Sequence, residues 1–125
     1  WHSFTSCYRR SPFFEYYEDH FRKLYGEKFE FLVEYNTELL KTIATILKTE
    51  INISFTEKYL KKEDFDGIDL RSLILPGKEN VSEFQTYPQV FNDRFDFIKD
   101  LSVLDLLFNV GTRSKEYLEK IEIKY

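Results

Sequence analysis

Two polar side chains interrupt the most apolar stretch of this chain, which runs from Ser102 to Gly111. They are Asp105 and Asn109, and nearly all other residues of the stretch are apolar. Ser102 is a typical helix N-cap and Gly111 a typical terminator, so the stretch is predicted to be a helix. Residues four apart share a helix face. The pair therefore predicts either a buried hydrogen-bonded group or a polar site, and Asp105 can equally complete a helix cap with Ser102.

A carboxylate and a guanidinium stand two positions apart in the middle of the chain. In an extended segment, Asp69 and Arg71 lie on the same side of the backbone. Such a pair can orient a substrate group, and it can equally be a structural salt bridge. The sequence alone leaves both interpretations open.

Two cations, Arg9 and Arg10, directly precede a predicted helix start at Ser11 and Pro12. With the free amides of a helix N-terminus, Arg10 can bind a carboxylate or phosphate group. The alternative is a surface salt bridge with an acid of the first turns, such as Glu15.

Composition limits the partners of the chain. Its 125 residues suffice for one domain whose core needs no metal or disulfide. The net charge of -4 disfavours nucleic acid, whose phosphates require a basic surface. No apolar run approaches the roughly 18 residues of a membrane-spanning helix, and the single cysteine, Cys7, favours a reducing compartment. We therefore expect a cytoplasmic protein without nucleic-acid partners or membrane insertion.

No complete catalytic, metal-binding or cofactor-binding motif is present. Cys7, His2 and His20 lack the spacing of metal ligands, and four glycines are too dispersed for a phosphate-binding loop. Cys7 is interpreted as buried or chemically indifferent rather than nucleophilic. Neither a metal nor a cofactor is expected.

Apolar spacing and helix-terminating residues predict a mostly helical chain. Helices are predicted at 11–26, about 28–48, 102–109 and about 112–121, with a single helical turn at 56–60. Alternation predicts short strands at 51–55 and 87–91, and 76–80 is predicted to be a turn. The first two helices, joined by a short loop, are expected to pack as a pair.

The core is expected to be rich in aromatic side chains. The first helix offers an apolar face of Phe13, Tyr17, Phe21 and Leu24, with Phe14 and Tyr25 beside it. The second offers a wider face, made of Phe29, Leu32, Val33, Asn36, Leu40, Ile43 and Leu47, with Leu39 and Ile46 beside it. Helix 102–109 is expected to be the most buried. We predict one compact, mostly α domain over 1–125 with one or two short strands; an α+β fold is the alternative if further chain completes a sheet.

Five segments resemble the WbqC-like protein family and occur in the family's order. They are 11–19, 36–40, 69–71, 87–91 and 101–111, which are similar to its patterns SPFFEYYED, NxxLL, DLR, YxQVF and LSILDLLFNxG. Segment 92–97 departs from the family, because it lacks the His and Gly that commonly follow QVF. The family's Arg-rich N-terminal part has no counterpart here. The chain therefore resembles the C-terminal portion of a longer, N-terminally truncated family member.

The resemblance implies a bacterial protein of surface-polysaccharide biosynthesis, including O-antigen, for which transfer of an acyl or aminoacyl group to an amino sugar has been suggested. Under this first hypothesis the substrate is a nucleotide-sugar or another small molecule. The residues expected to act on it are Asp69, Arg71 and Asp105 in catalysis, and Arg10, Tyr87, Gln89 and Asn109 in substrate binding.

The second hypothesis is a non-catalytic scaffold or partner-binding protein of the same pathway. A cleft that joins Asp69, Arg71, Tyr87 and Asp105 would favour the enzyme. Scattering of these residues, or their full satisfaction inside the core, would favour the scaffold. The sequence leaves the oligomeric state open.

Overall fold

The computed structural model describes residues 1–73 and 83–122. Within these ranges the chain is mostly α, as predicted, and forms no strand. The helices are α1 (His2–Tyr8), α2 (Phe14–Gly26), α3 (Leu32–Ile46), α4 (Val103–Val110) and α5 (Ser114–Glu119). Two 3-10 turns add to them, Lys62–Asp64 and Gly111–Arg113. The predicted turn at 76–80 lies outside the described residues.

The two predicted strands are wrong. Segments 51–55 and 87–91 carry no strand, and no helical turn forms at 56–60 either. Alternating side chains give a strand only when a neighbouring strand pairs with its backbone. The described part of the chain supplies no such neighbour, so both segments are irregular connections.

Helix α1 is not among the helices predicted from the sequence. Trp1, Phe4 and Tyr8 follow one another at helical spacing and pack against the core. Ser11 is not the cap of α2, because the chain makes a turn first: the Ser11 N–H donates to the Tyr8 carbonyl at 2.8 Å. The Phe13 N–H then donates to the Phe108 carbonyl at 2.9 Å, and α2 begins one residue later.

The core is an aromatic cluster around Phe108 of α4. Phe108 is fully buried, and its ring lies 5.2 to 5.6 Å from four other aromatic rings, those of Phe4, Tyr8, Phe14 and Phe21. The predicted face of α2 is confirmed at Tyr17, Phe21 and Leu24, whereas Phe14 replaces Phe13 as the most buried aromatic at its start. Aromatic pairs at such distances add to the free energy gained by burial.

Helix α3 packs against α2, as expected for the pair, but with a narrower face than predicted. Leu39, Ile43 and Ile46 pack against the core, and Ala44 is buried. Leu32 and its neighbour Val33 are exposed, as is Leu40, because the described chain covers only one side of α3. A single neighbouring layer buries only part of a wide apolar face.

Helix α4 is the most buried helix of the described chain, as predicted. Five consecutive residues, from Asp105 to Asn109, are buried. The Ser102 hydroxyl accepts a hydrogen bond from the Leu104 N–H at 3.3 Å and so caps the helix. Gly111 ends it with a φ of +65°, and a side chain there would lie 2.6 Å from the Phe13 ring. No helix of the described residues has both the length and the apolar composition needed to cross a membrane.

Candidate functional site

A pocket that contains two predicted site residues lies in the irregular region between α3 and residue 73. Its volume is about 620 Å³, which falls in the range of small-molecule sites, about 300–1,000 Å³. Its walls are mainly apolar, with one acid and one base among them: Thr56, Tyr59, Leu60, Phe65, Ile68, Asp69, Leu70 and Arg71. We call this the Asp69–Arg71 pocket.

The ion pair predicted between Asp69 and Arg71 is present in this pocket and is bidentate. The Arg71 side chain donates from Nη2 to Asp69 Oδ2 at 2.6 Å and from Nε to Oδ1 at 2.9 Å. The Arg71 backbone N–H also donates to Oδ1, at 3.0 Å. Hydrogen bonding to Arg71 lowers the pKa of the Asp69 carboxyl to about 2. Asp69 is therefore fully ionised at neutral pH and is a poor proton acceptor.

The guanidinium of Arg71 is held in place on two further sides. Its Nη1 donates to the Leu60 carbonyl at 2.8 Å, and its Cζ lies 5.2 Å from the centroid of the Tyr59 ring. Three of its five N–H donors are used in these side-chain bonds, and the guanidinium also has a side-chain hydrogen bond with Tyr59. The Arg71 side chain is 48% exposed, so the guanidinium is accessible. Tyr59 is 80% exposed, which leaves most of its surface open to solvent.

Asp105 lies in a different environment, at the buried face of α4. Only 4% of the residue is exposed, and Tyr87 donates from its hydroxyl to Asp105 Oδ2 at 2.8 Å. Asn109 Nδ2 donates to the Asp105 carbonyl at 2.8 Å. The two polar side chains of α4 therefore share one face, as predicted, and both are satisfied by hydrogen bonds inside the fold.

Burial controls the ionisation of this cluster. It raises the pKa of Asp105, and the hydrogen bond from Tyr87 opposes that rise. Burial also raises the pKa of Tyr87, whose ring packs edge-on against Phe97 and Tyr117. Burial, together with the nearby charge of Asp105, raises the pKa of Tyr8 to about 12. The phenols remain protonated and can act only as hydrogen-bond donors towards the carboxylate.

Gln89 is engaged with the backbone of its own loop. Its Nε2 donates to the Ile98 carbonyl at 2.8 Å, and its Oε1 accepts from the Ile98 N–H at 3.0 Å. The side chain thereby closes the loop 89–98. Its amide also lies near enough to the Tyr87 hydroxyl to oppose the rise of the Tyr87 pKa. This geometry gives Gln89 a positioning role in the loop.

Arg10 lines a smaller pocket together with Gln89 and residues 90–94. The helix amides proposed as its partners are occupied: the Phe13 N–H donates to Phe108, and the Phe14 N–H donates to the Ser11 carbonyl at 3.2 Å. These amides are therefore not available to an anion, because the chain turns at the start of α2 and uses them itself. Binding by Arg10 stays a prediction.

The seven predicted residues thus fall into three places. Asp69 and Arg71 share the first pocket, Arg10 and Gln89 share the smaller one, and Tyr87, Asp105 and Asn109 form the buried cluster. Within residues 1–73 and 83–122, no hydrogen bond or ion pair joins Asp69 or Arg71 to Asp105. Their assigned roles in catalysis and binding stay predictions.

Sequence reasoning missed several residues that shape these sites. Tyr59, Phe65 and Ile68 line the Asp69–Arg71 pocket. The available signal was their position as apolar residues in a charged segment of the sequence. Tyr8 and Tyr117 border the buried cluster. Cys7, expected to be buried or chemically indifferent, is exposed, so the first alternative does not hold. Within the described residues, no group of three His, Cys, Asp or Glu side chains has the arrangement of a metal site.

Comparison with protein families matches residues 1–75 to the WbqC-like protein family. The matched range contains the resembling segments 11–19, 36–40 and 69–71, and the pocket residues from Thr56 to Arg71. The resembling segments 87–91 and 101–111 lie outside it. Neither the curated proteins nor the solved structures gave a match.

Proposed function

We propose, since this chain belongs to the WbqC-like protein family, that it acts in polysaccharide biosynthesis by binding an amino sugar in the Asp69–Arg71 pocket. The sugar is taken to be free or nucleotide-linked, and the setting to be the bacterial cytoplasm during assembly of O-antigen-type surface polysaccharide. Of the two hypotheses, this proposal is nearer to the non-catalytic one, because it requires binding and no chemical step.

The observation that carries the proposal is the combination of a bidentate ion pair with exposed apolar walls in one open pocket. A sugar ring has apolar C–H faces and a rim of hydroxyl or amino groups. Tyr59 and Phe65 can cover the faces, and burial of apolar surface is favourable for both partners. The exposed guanidinium of Arg71 can donate to hydroxyl oxygens through an N–H group that Asp69 and Leu60 do not occupy.

The charge state of Asp69 favours an amino sugar over a neutral one. With a pKa of about 2, the carboxylate keeps its negative charge at neutral pH. Its oxygens have acceptor capacity beyond the bonds to Arg71. A protonated sugar amine would place a positive charge beside this carboxylate, and a charge-assisted hydrogen bond of this kind is stronger than a neutral one.

The test is a binding titration of the chain with glucosamine, galactosamine and their uncharged parent sugars. We expect Asp69→Asn to weaken binding of the amino sugars about tenfold, the scale of one charge-assisted hydrogen bond. We expect Tyr59→Ala to weaken it up to about tenfold, the scale of one aromatic contact. Matched controls are Tyr16→Ala, an exposed tyrosine of α2, and Asp66→Asn, an acid close to the pocket but outside its walls. Equal weakening by variants and controls, or no binding of any sugar, would contradict the proposal.

A second candidate function is transfer of an acyl or aminoacyl group to the amino sugar. The observation in its favour is the raised pKa of Asp105 next to the Tyr87 hydroxyl, because a carboxylate with a raised pKa is a better general base. Transfer would require the sugar amine to reach this buried group. Asp69, held at a low pKa, would then orient the substrate.

A further inference from the structure

A second pocket, bordered by two arginines, lies between the α1–α2 turn and the loop closed by Gln89. Its volume is about 200 Å³, and Arg10, Asn92, Asp93 and Arg94 contribute its polar walls. Arg10 comes from the turn that follows α1, and Arg94 from the loop some eighty residues later. Two cations from distant parts of the chain therefore meet around one small cavity.

The charges around this cavity favour an anion. Arg10 and Arg94 contribute two positive charges and Asp93 one negative charge, which leaves a net charge of about +1 at neutral pH. Arg94 Nε lies 3.6 Å from Asp93 Oδ2, a long and exposed contact. Within the described residues, Arg10 has no hydrogen bond or ion pair. A protein with a net charge of -4 thus carries a local cationic cavity with one uncommitted guanidinium.

The loop that presents Arg94 is held by its own hydrogen bonds. Gln89 binds both backbone groups of Ile98, the Asn92 N–H donates to the Gln89 carbonyl at 3.3 Å, and the Arg94 N–H donates to the Phe91 carbonyl at 2.9 Å. A guanidinium on a braced loop loses less conformational freedom on binding than one on a free loop. Gln89 therefore acts on this pocket as a positioning residue.

The size of the cavity selects the class of anion. At about 200 Å³ it is smaller than the roughly 300–1,000 Å³ of a complete small-molecule site. It suits a single compact group with several acceptor oxygens. Guanidinium groups bind phosphate oxygens with paired N–H donors, a geometry that a lysine does not provide.

We propose that the Arg10–Arg94 pocket binds one phosphate group, either inorganic phosphate or the terminal phosphate of a phosphorylated sugar or nucleotide. The inference is independent of sugar binding in the Asp69–Arg71 pocket, since it rests on other residues. Each site can therefore fail without the other.

The test is isothermal titration of the chain, at low ionic strength and pH 7.5, with inorganic phosphate, a sugar 1-phosphate, a nucleoside monophosphate and an uncharged sugar. Arg10→Ala and Arg94→Ala are each expected to weaken phosphate binding about tenfold, the scale of one hydrogen bond to a charged group. Arg10→Lys keeps the charge but loses the paired donors, and an intermediate loss is expected. Asp93→Asn removes the opposing charge and is expected to tighten binding.

The matched control is Arg9→Ala, which removes the same charge one residue away at a side chain outside the pocket walls. It is expected to leave the affinity within about twofold, a shift attributable to long-range electrostatics alone. Tighter binding of the sugar 1-phosphate or nucleotide than of inorganic phosphate would assign the pocket to part of a larger ligand, and the reverse order to free phosphate. Absence of phosphate binding, or equal losses for Arg9→Ala and Arg10→Ala with unchanged melting temperatures, would overturn the proposal.

Discussion

Asp69 and Asp105 are both carboxylates bound by a single neighbouring side chain, yet their pKa values move in opposite directions. Asp69 lies in an open pocket beside a guanidinium, which lowers its pKa to about 2. Asp105 lies on the buried face of α4 beside the neutral Tyr87 phenol, and burial raises the pKa of Asp105. The difference shows that the sign of a carboxyl pKa shift depends on the partner. A positively charged partner stabilises the carboxylate and lowers the pKa, whereas a neutral partner does not compensate for burial.

The regions around these two acids differ in the same way. The surroundings of Asp105 are helical, aromatic and buried, with Phe108 at their centre. The surroundings of Asp69 are irregular and retain exposed apolar side chains, such as Tyr59 and Ile68. We infer that the first region maintains the fold and that the second is available for ligands. The following predictions test that division.

The largest contrast is expected between two phenylalanine truncations. Phe108→Ala should lower the free energy of unfolding by about 3–5 kcal/mol, because it leaves a cavity at the centre of the aromatic cluster. Phe65→Ala, at a partly exposed pocket wall, should change it by less than about 1 kcal/mol. Urea denaturation followed by circular dichroism measures both. Similar losses in the two variants would remove the distinction between the regions.

The next prediction compares the removal of one tyrosine hydroxyl from each region. Tyr87→Phe leaves the buried Asp105 carboxylate without its side-chain donor and should cost about 1.5–3 kcal/mol. It should also raise the pKa of Asp105 further, because the lost hydrogen bond lowers that pKa. Tyr59→Phe, at an exposed ring, is the control and should be close to neutral. Carbon-13 titration of the Asp105 carboxyl, combined with denaturation, checks both effects; an unchanged pKa in Tyr87→Phe would contradict the assignment.

Alanine substitutions at two glycines are expected to change stability by a similar or smaller amount. Gly111→Ala places a methyl group 2.6 Å from the Phe13 ring and at a φ of +65°, so we expect a loss of about 1–3 kcal/mol. At Gly67 an added methyl group meets only the edge of the Phe65 ring, at 3.0 Å. Phe65 is partly exposed and can rotate away, so Gly67→Ala should be tolerated. The melting temperature of each variant measures both effects. A larger loss of stability in Gly67→Ala than in Gly111→Ala would contradict a deformable pocket wall.

The smallest effect concerns pH. The folded pKa of Asp105 lies above 3.8, so the folded chain binds more protons than the unfolded chain as pH rises from 3.8 to that value. The contribution of Asp105 to the free energy of unfolding therefore decreases as pH rises through that window. Asp69 acts in the opposite sense: its contribution is present above 3.8 and is lost as pH falls towards 2.

The pH prediction is checked by urea denaturation of the chain and of Asp105→Asn between pH 3 and pH 8. Asn keeps an acceptor for the Tyr87 hydroxyl without the buried charge. The stability of Asp105→Asn relative to the unsubstituted chain should therefore increase as pH rises above 3.8. A constant difference over the whole range would mean that Asp105 has the same pKa in the folded and the unfolded chain.

The elements that sequence analysis predicted well are those with local signals. Helix α4 carries its cap at Ser102 and its terminator at Gly111, and both act as predicted. The shared face of Asp105 and Asn109 follows from helical spacing alone. Asp69 and Arg71 are two positions apart, so their ion pair needs no distant contact. In each case the interacting groups are neighbours in sequence, so spacing suffices.

The remaining features depend on contacts between distant residues. The Phe13 N–H pairs with Phe108, ninety-five positions later, which moves the start of α2. The Tyr87–Asp105 bond and the meeting of Arg10 with Arg94 likewise join segments that no local pattern connects. The predicted strand at 51–55 fails for the converse reason, since its alternation finds no pairing partner in the described chain.

The measurement that tests the division between the two acids most directly compares Asp69→Asn and Asp105→Asn in one experiment. Each variant is titrated with amino sugars, assayed by mass spectrometry for transfer from a panel of acyl donors to nucleotide-linked amino sugars, and melted. We expect Asp69→Asn to weaken amino-sugar binding while its melting temperature stays nearly constant. We expect Asp105→Asn to retain binding and to differ in stability. If Asp105→Asn instead remained folded but lost a transfer product that the unsubstituted chain makes, Asp105 would be catalytic and the proposed division would be wrong.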